Sequence, residues 1–273
     1  MSTREDLQLM SQAARLYYQD DLTQRQVADE LGVSRPTVSR LLTQARREGI
    51  VQISIVDPFA TFDDLEAQLV ERFHLAQAVV VAGEGLSSDL LFRRLGIAAA
   101  AHLLRTLSAG DKVGIGWGRT LHATVEALDT AALVEIQVFP LIGGMGQISP
   151  SFQVNTLAQQ LAESFGGEWQ PFYVPAFVGD AAALEGLQRI PDVQSVFQVW
   201  SQLDLALVGI GHFALQRHSS MFFASYMADD VMQKLERRGA AGDICGRFFD
   251  MRGQACYVEP GVIGITLEQL EAL

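Results

Sequence analysis

The spacing of small, turn-forming and branched residues between Thr23 and Gly49 leaves few folds open to the start of this chain. Thr23 followed by Gln26 is a capping-box signature: the hydroxyl takes an orphan backbone N–H and the glutamine reaches back. The short helix it opens turns Val27, Ala28 and Leu31 inward. Ala28 is small, as close helix crossing requires; Gly32 then supplies a permissive backbone for the turn. Ser34 is the natural N-cap of the next helix, where Pro36 is tolerated because first-turn amides lack an intrahelical acceptor. Val38, Leu41, Leu42 and Ala45 follow at i, i+3, i+4 and i+7, and Gly49 ends the helix. Two capped helices joined this way form a helix-turn-helix. An earlier helix is expected from about Arg4 to Gln19, with Leu7, Met10, Ala14 and Tyr17 inward, and a break at Asp20, Asp21 and Leu22. Beyond Gly49, Val51, Ile53 and Ile55 alternate with Gln52 and Ser54, as a short strand or wing does.

A helix-turn-helix places the N-terminal residues of its second helix against base edges in the major groove. Arg35 and Arg40 can fork onto guanine, and Thr37 and Ser39 can read base edges or phosphates. Arg46 and Arg47 suit phosphate contact and the helix dipole; Thr23, Gln24, Ser34 and Gln44 complete the DNA-facing set. The net charge of −12 looks wrong for binding a polyanion. Its distribution removes the conflict: Arg35, Arg40, Arg46 and Arg47 stand with no acidic residue between Ser34 and Arg47, and the acidic excess lies almost wholly after residue 57. Screening confines each charge to about 10 Å, so a local basic stripe can still dock on phosphates.

The 273 residues suit this small head, residues 1–57, plus a domain of about 200 residues at 76–273. Between them, at 58–75, Leu65, Leu69 and Phe73 sit four apart on a linker helix with Glu66, Glu71 and Arg72 outside. That helix packs either on a second copy or on its own domain; palindromic operators give the first a rationale. The larger domain alternates extended and helical patterns. Ala78–Ala82, Lys112–Trp117, Val134–Ile142, Trp169–Val174 and Leu203–Ile210 read as extended, and Leu91–Leu107, Thr120–Leu128 and Asn155–Phe165 as helical. The expected class is α/β, a winged helix-turn-helix head plus a mostly parallel sheet covered on both faces. Glycines cluster where strands end and helices begin, the edge at which such folds bind ligands. Gly114, Gly116 and Gly118 precede Arg119 and Thr120, whose helix N-terminus favours an anion such as phosphate. Gly143, Gly144 and Gly146 form a second such turn, followed by Gln153 and Asn155, and Gly209 and Gly211 a third.

Other classes find little support. The longest apolar stretch, near Leu95–Leu104, is broken by His102 and falls short of the ~18 residues of a membrane span. The N-terminus opens with charge and carries no apolar signal core, so a cytoplasmic protein without membrane contact is expected. Cys245 and Cys256 have neither disulfide-framework nor zinc-site spacing, and His74, His102, His122, His212 and His218 are scattered, so no metal or cofactor is expected.

Taken together, several segments resemble a known family. They are the head from Thr23 to Gly49, Gly116-Trp117-Gly118-Arg119-Thr120, Pro140-Leu141-Ile142-Gly143-Gly144, Asn155, Pro175-Ala176 and Gly209-Ile210-Gly211. Gly239-Ala240-Ala241-Gly242-Asp243 and Phe248-Phe249-Asp250 with Gly253 complete the likeness. From about Ser11 to its end the chain resembles the SorC-type (sugar-binding domain, DeoR-related) bacterial transcription regulators. The resemblance implies a fold like sugar-phosphate isomerases used as a sensor, a phosphorylated-sugar effector, and dimers or tetramers on operator DNA. It also implies that Trp117–Thr120 cradle the phosphate, that Gln153 and Asn155 line the site with Gly143, Gly144 and Gly211, and that Asp243 holds sugar hydroxyls.

The chain departs from the family pattern in three places. Ile142 and Gly261 stand where some relatives carry a basic residue, and the chain stops at Leu273, ahead of a further glycine-rich unit. Each change removes positive charge from the anion site. Three readings stay open: a less charged ligand, a helix terminus helped by Arg119, or a shortened domain that no longer senses. Ligand-controlled DNA binding, as repressor or activator, is the leading reading. The alternatives are a DNA-binding protein with a repurposed α/β domain, and a sugar-phosphate isomerase or deaminase. The last would have Asp204, His212 and Asp243 as bases but only Lys112 and Lys234 as lysines.

Overall fold

The computed structural model describes residues 4–51, 62–128, 134–145, 150–213, 229–256 and 261–273. The chain divides into two compact units, residues 1–87 and 88–273. In the first, helices α1 (Arg4–Tyr18), α2 (Gln24–Leu31) and α3 (Arg35–Arg47) enclose Met10, Ala13, Ala14, Val27, Ala28, Val38, Leu41, Leu42 and Ala45. Local chemistry sets the helix ends. Thr23 and Gln26 form the reciprocal capping box, Ser34 Oγ accepts the Thr37 N–H at 3.3 Å, and Gly32 leaves α2 at φ +64°. Each cap contributes about 1 kcal/mol. In α1 the apolar face is rotated from the expected one: Leu7 is 40% exposed and Ala13 is fully buried. A small residue lets the three helices cross closely, and a leucine would hold them apart. The expected wing strand lies outside the described residues apart from Val51, which packs on this core. Helix α4 (Asp63–Phe73) forms as expected with no buried residue, whereas Ala78–Ala82 forms no strand.

The second unit is built on a four-stranded parallel sheet in the order β3-β2-β1-β4, from β1 (Lys112–Ile115), β2 (Gln137–Pro140), β3 (Glu168–Trp169) and β4 (Leu205–Leu207). Alternation along the strands divides the core. Val113, Ile115 and Val138 face α5 (Ser88–Thr106), α6 (Arg119–Glu126) and α7 (Val154–Ser164), joining Leu103, Leu121, Val125, Leu157, Leu161 and Phe165. Phe139 and Leu141 join the other face with Val193, Val196 and Trp200 of α9 (Pro191–Trp200), and the Trp200 indole donates to Pro140 O at 3.0 Å. Gly114 lies on that face, where a Cβ would come 2.4 Å from Leu141 Cδ2 and 2.8 Å from Leu203 Cδ1 and force both leucines to shift. This two-sided burial is what a parallel sheet needs.

Three features were not expected from the sequence. Helices α8 (Ala181–Gln188) and α9 lie in a stretch where the sequence reading places no element. The Trp169–Val174 run yields a strand of only two residues. Ile210-Gly211 continues into an antiparallel sheet, β5 (Ile210–His212) with β6 (Ala240–Ile244) and β7 (Arg247–Asp250). Cys245 and Gly246, at φ 49° and 73°, make the two-residue turn between β6 and β7; paired positive φ values match the twist of a hairpin. A short 3-10 helix (Pro150–Phe152) and helices α10 (Asp229–Arg237) and α11 (Leu267–Glu271) complete the described elements.

Candidate functional site

In the head, the four buried residues of α3 turn one face inward and leave a basic, hydroxyl-rich face outward. Pro36, Ser39, Arg40, Thr43, Gln44, Arg47 and Glu48 line one open concavity on that face. Arg35 and Arg46 are also exposed. Ser34 caps α3 as its position predicts, and its hydroxyl and that of Thr37 bond each other at 2.8 Å. Thr23 is likewise engaged, its hydroxyl and N–H both donating to Gln26 Oε1, with Gln24 half-buried beside it. Thr43 was missed by sequence reading, though its offset of four from Ser39 signals the shared face; its hydroxyl donates to Ser39 O at 2.9 Å.

In the second unit, strand order fixes where a ligand crevice can open. From β1 the chain adds β2 and β3 on one side, then β4 on the other. That reversal puts the topological switch point at the carboxyl ends of β1 and β4, where folds of this kind open a ligand crevice. The Gly116 N–H donates to Leu207 O at 2.9 Å, forming the floor of the switch point. Trp117 and Gly118 then turn the chain into α6. Gly118 sits at φ 129° and ψ 165°, which a side chain disfavours strongly, and no side chain caps the helix. The N–H groups of Gly118, Arg119, Thr120 and Leu121 find no acceptor among the described residues. The Arg119 guanidinium lies over the Phe92 ring, 4.5 Å from its centroid. Gly209, at the exit of β4, passes close by, a Cβ there falling 3.7 Å from Trp117 O.

The second glycine turn is built differently. Gly143 N–H donates to Ile263 O at 2.8 Å, Gly144 N–H to Val174 O at 2.7 Å, and Met145 N–H to Gln153 Oε1 at 3.2 Å. These amides are consumed by the fold. Gln153 also donates to Met145 O, and Asn155 clasps the Phe172 backbone, accepting its N–H at 2.8 Å and donating to its C=O at 3.1 Å. Gly144, Gln153 and Asn155 line a cavity of about 530 Å3 with Thr156, Gln159, Trp169, Tyr173 and Pro175. That cavity lies on the β2–β3 side of the sheet, whereas the crevice lies between β1 and β4. Gly146 is outside the described residues.

Asp243 is 4% exposed and accepts the Gly246 N–H at 3.0 Å, holding the hairpin turn, while Gly211 is its cross-strand partner. The turn brings Cys245 Sγ to 3.0 Å from where a Gly116 Cβ would stand, so the hairpin abuts the switch-point floor. Burial pushes the Cys245 thiol up to about 12, helped by Asp243 and opposed by Arg247. Arg247 donates to the carbonyls of Val262, Gly264 and Ile265, fastening a segment that pairs with Leu141–Gly143 on one side and Ala176–Val178 on the other. Cys245 and Arg247 carried no signal in the sequence, because only the hairpin brings them to the crevice.

Comparison with known proteins fits this two-part architecture. The sugar-binding domain family model matches residues 57–273, and a Crp-like helix-turn-helix domain matches residues 7–60. The sorbitol operon regulator of Klebsiella pneumoniae is 35% identical over 93% of this chain and 80% of its own length. The chain belongs to the SorC-type family of sugar-binding-domain transcriptional regulators. The deoxyribonucleoside regulator of Bacillus subtilis is 34% identical, over 98% of this chain and 85% of its own. The crystal structure of full-length SorC from Klebsiella pneumoniae superposes with a TM-score of 0.71 at 32% identity, covering 99% of this chain and 86% of that one. This SorC-type chain is thus a DNA-binding regulator with a sugar-binding domain. No helix among its described residues is long and apolar enough to cross a membrane.

Proposed function

We propose that the exposed face of α3 reads operator DNA and that the β1/β4 crevice holds a phosphorylated sugar whose binding shifts operator affinity. Arg35, Ser39, Arg40, Thr43 and Gln44 face the bases, and Arg46 and Arg47 the phosphates, in this reading. Ser34, Thr37, Thr23 and Gln24 present the helix N-termini to the backbone.

The observation that carries the effector site is the cluster of amides at Gly118–Leu121, donors without a described acceptor at the switch point of the sheet. Such amides at a helix N-terminus bind phosphate well. They answer the loss of positive charge at Ile142 and Gly261: the helix terminus and Arg119 bear the anion. Trp117 walls the site, and Gly211 and Asp243 border it. Gly143, Gly144, Gln153 and Asn155 shape the neighbouring loop through the backbone bonds described above.

Two of the candidate bases, Asp204 and Asp243, are already engaged. Asp204 accepts the Lys112 N–H at 2.9 Å at the amino ends of β4 and β1, opposite the crevice, and Asp243 is committed to its turn. The protein acts in the cytoplasm as a homodimer or homotetramer, as two-fold operators require.

Ligand control demands differential affinity for two arrangements of the protein; a 100-fold change in operator binding needs about 2.7 kcal/mol of coupling. The test is fluorescence anisotropy of the full chain on its own upstream DNA, with and without a panel of sugar phosphates. A salt-sensitive specific complex that one sugar phosphate shifts supports both assignments. Tight binding that no sugar phosphate alters removes the sensing role, and absence of specific binding removes the operator role.

A further inference from the structure

We infer that Phe92, on α5, is the positioning residue that holds the Arg119 guanidinium at the mouth of the β1/β4 crevice, so that the site prefers anionic over neutral sugars. The inference rests on the phosphate reading of that crevice and adds to it the residue that preorganises its cation.

Helix packing sets where both side chains stand. Gly96 of α5 lies against the α6 backbone so closely that a Cβ would fall 2.3 Å from Ala123 O. No side chain separates the two helices there, so their register is fixed by backbone contact. One turn toward the N-terminus on each helix, at Gly96 minus four and Ala123 minus four, stand Phe92 and Arg119. The same register therefore delivers the Phe92 ring beneath the guanidinium, 4.5 Å from centroid to Cζ. Phe92 is half-buried and Arg119 exposed, so the ring is anchored and the cation faces outward.

An exposed arginine otherwise samples many rotamers, and ordering it would subtract from ligand affinity. A guanidinium already stacked on a ring has lost much of that freedom before the ligand arrives, and its edge donors stay available to a phosphate oxygen. Lysine at 119 would keep the charge but not the planar stack. In this reading the stacked Arg119 carries the anion preference of the crevice.

The experiment titrates inorganic phosphate, glucose 6-phosphate and glucose into the full chain by isothermal calorimetry, for wild type and F92L, F92Y, R119A, R119K and F92L/R119A. Melting curves on each variant confirm folding. F92L should weaken phosphate binding about two- to five-fold, the size of a surface cation–π contact. F92Y should restore it, R119A should weaken it further, and F92L should add nothing once Arg119 is gone. A merely structural Phe92 would weaken R119A as much as wild type, and that result overturns the inference. R119A weakening phosphate while F92L does not also overturns it, leaving the crevice reading intact. Phosphate binding unchanged in R119A, or absent from wild type for both anions, overturns the inference and the crevice reading together.

Discussion

Removing the Asn155 amide should cost stability and leave sugar recognition intact. Its Oδ1 accepts the Phe172 N–H at 2.8 Å and its Nδ2 donates to the Phe172 carbonyl at 3.1 Å. The side chain thereby imitates one rung of a β-ladder on the stretch that follows the edge strand β3. Each neutral bond contributes about 0.5–1.5 kcal/mol net, so Asn155→Ala should lose about 2 kcal/mol. The upper end is tempered because the pair borders a cavity that water can enter. Asn155→Asp keeps the acceptor for the N–H but sets a carboxylate oxygen against the Phe172 carbonyl, so at neutral pH it should be at least as damaging. For a unit of this size the fall in Tm is about 4–8 °C. Trp117, Trp169 and Trp200 all belong to the second unit, so urea unfolding followed by tryptophan fluorescence reports on it alone. An Asn155→Ala protein within about 0.5 kcal/mol of wild type would refute the clasp argument. So would a variant of unchanged stability that had lost its response to sugar phosphates, since Asn155 would then be a ligand contact.

Other expectations concern the head and the hairpin. Arg40→Ala should relax base preference and cost about 1–3 kcal/mol on the operator, whereas Arg47→Ala should weaken all sequences alike and lower the salt slope by about one. Anisotropy at several salt concentrations on specific and random DNA separates the two, and identical behaviour would refute the assigned face. Ser34→Ala removes the cap whose Oγ accepts the Thr37 N–H, and should destabilise the head by about 1 kcal/mol, read as lower thermal stability and weaker operator binding. The Cys245 thiol ionises near 9.0 when unfolded and near 12 when buried. Its contribution is complete below pH 9 and is lost as pH rises toward 12, by up to about 1.4 kcal/mol per pH unit. Urea midpoints at pH 8, 9.5 and 10.5 should therefore fall more steeply for wild type than for Cys245→Ala; parallel slopes would show the thiol to be exposed.

What the sequence determined by itself is local. Thr23 with Gln26, Gly32, Ser34 and the stripe Val38, Leu41, Leu42, Ala45 specify caps, turn and inward face within a few residues of one another, and the head forms on them. The alternating pattern and the glycines at strand ends were legible for the same reason: strand exits and helix entries are written in adjacent residues. Tertiary structure decided which of those glycine turns keeps its amides. Gly118 to Leu121 retain them, whereas Gly143 and Gly144 give theirs to Ile263 and Val174, partners 120 and 30 residues away that no local pattern announces. The same holds for Asn155, drawn to Phe172, and for Arg247, drawn to the carbonyls of residues 262–265. Phe92 meets Arg119 only because Gly96 lets α5 press against the backbone of α6. Hydrogen-bond capacity is a property of each residue, but whether it remains available to a ligand depends on what long-range packing brings beside it.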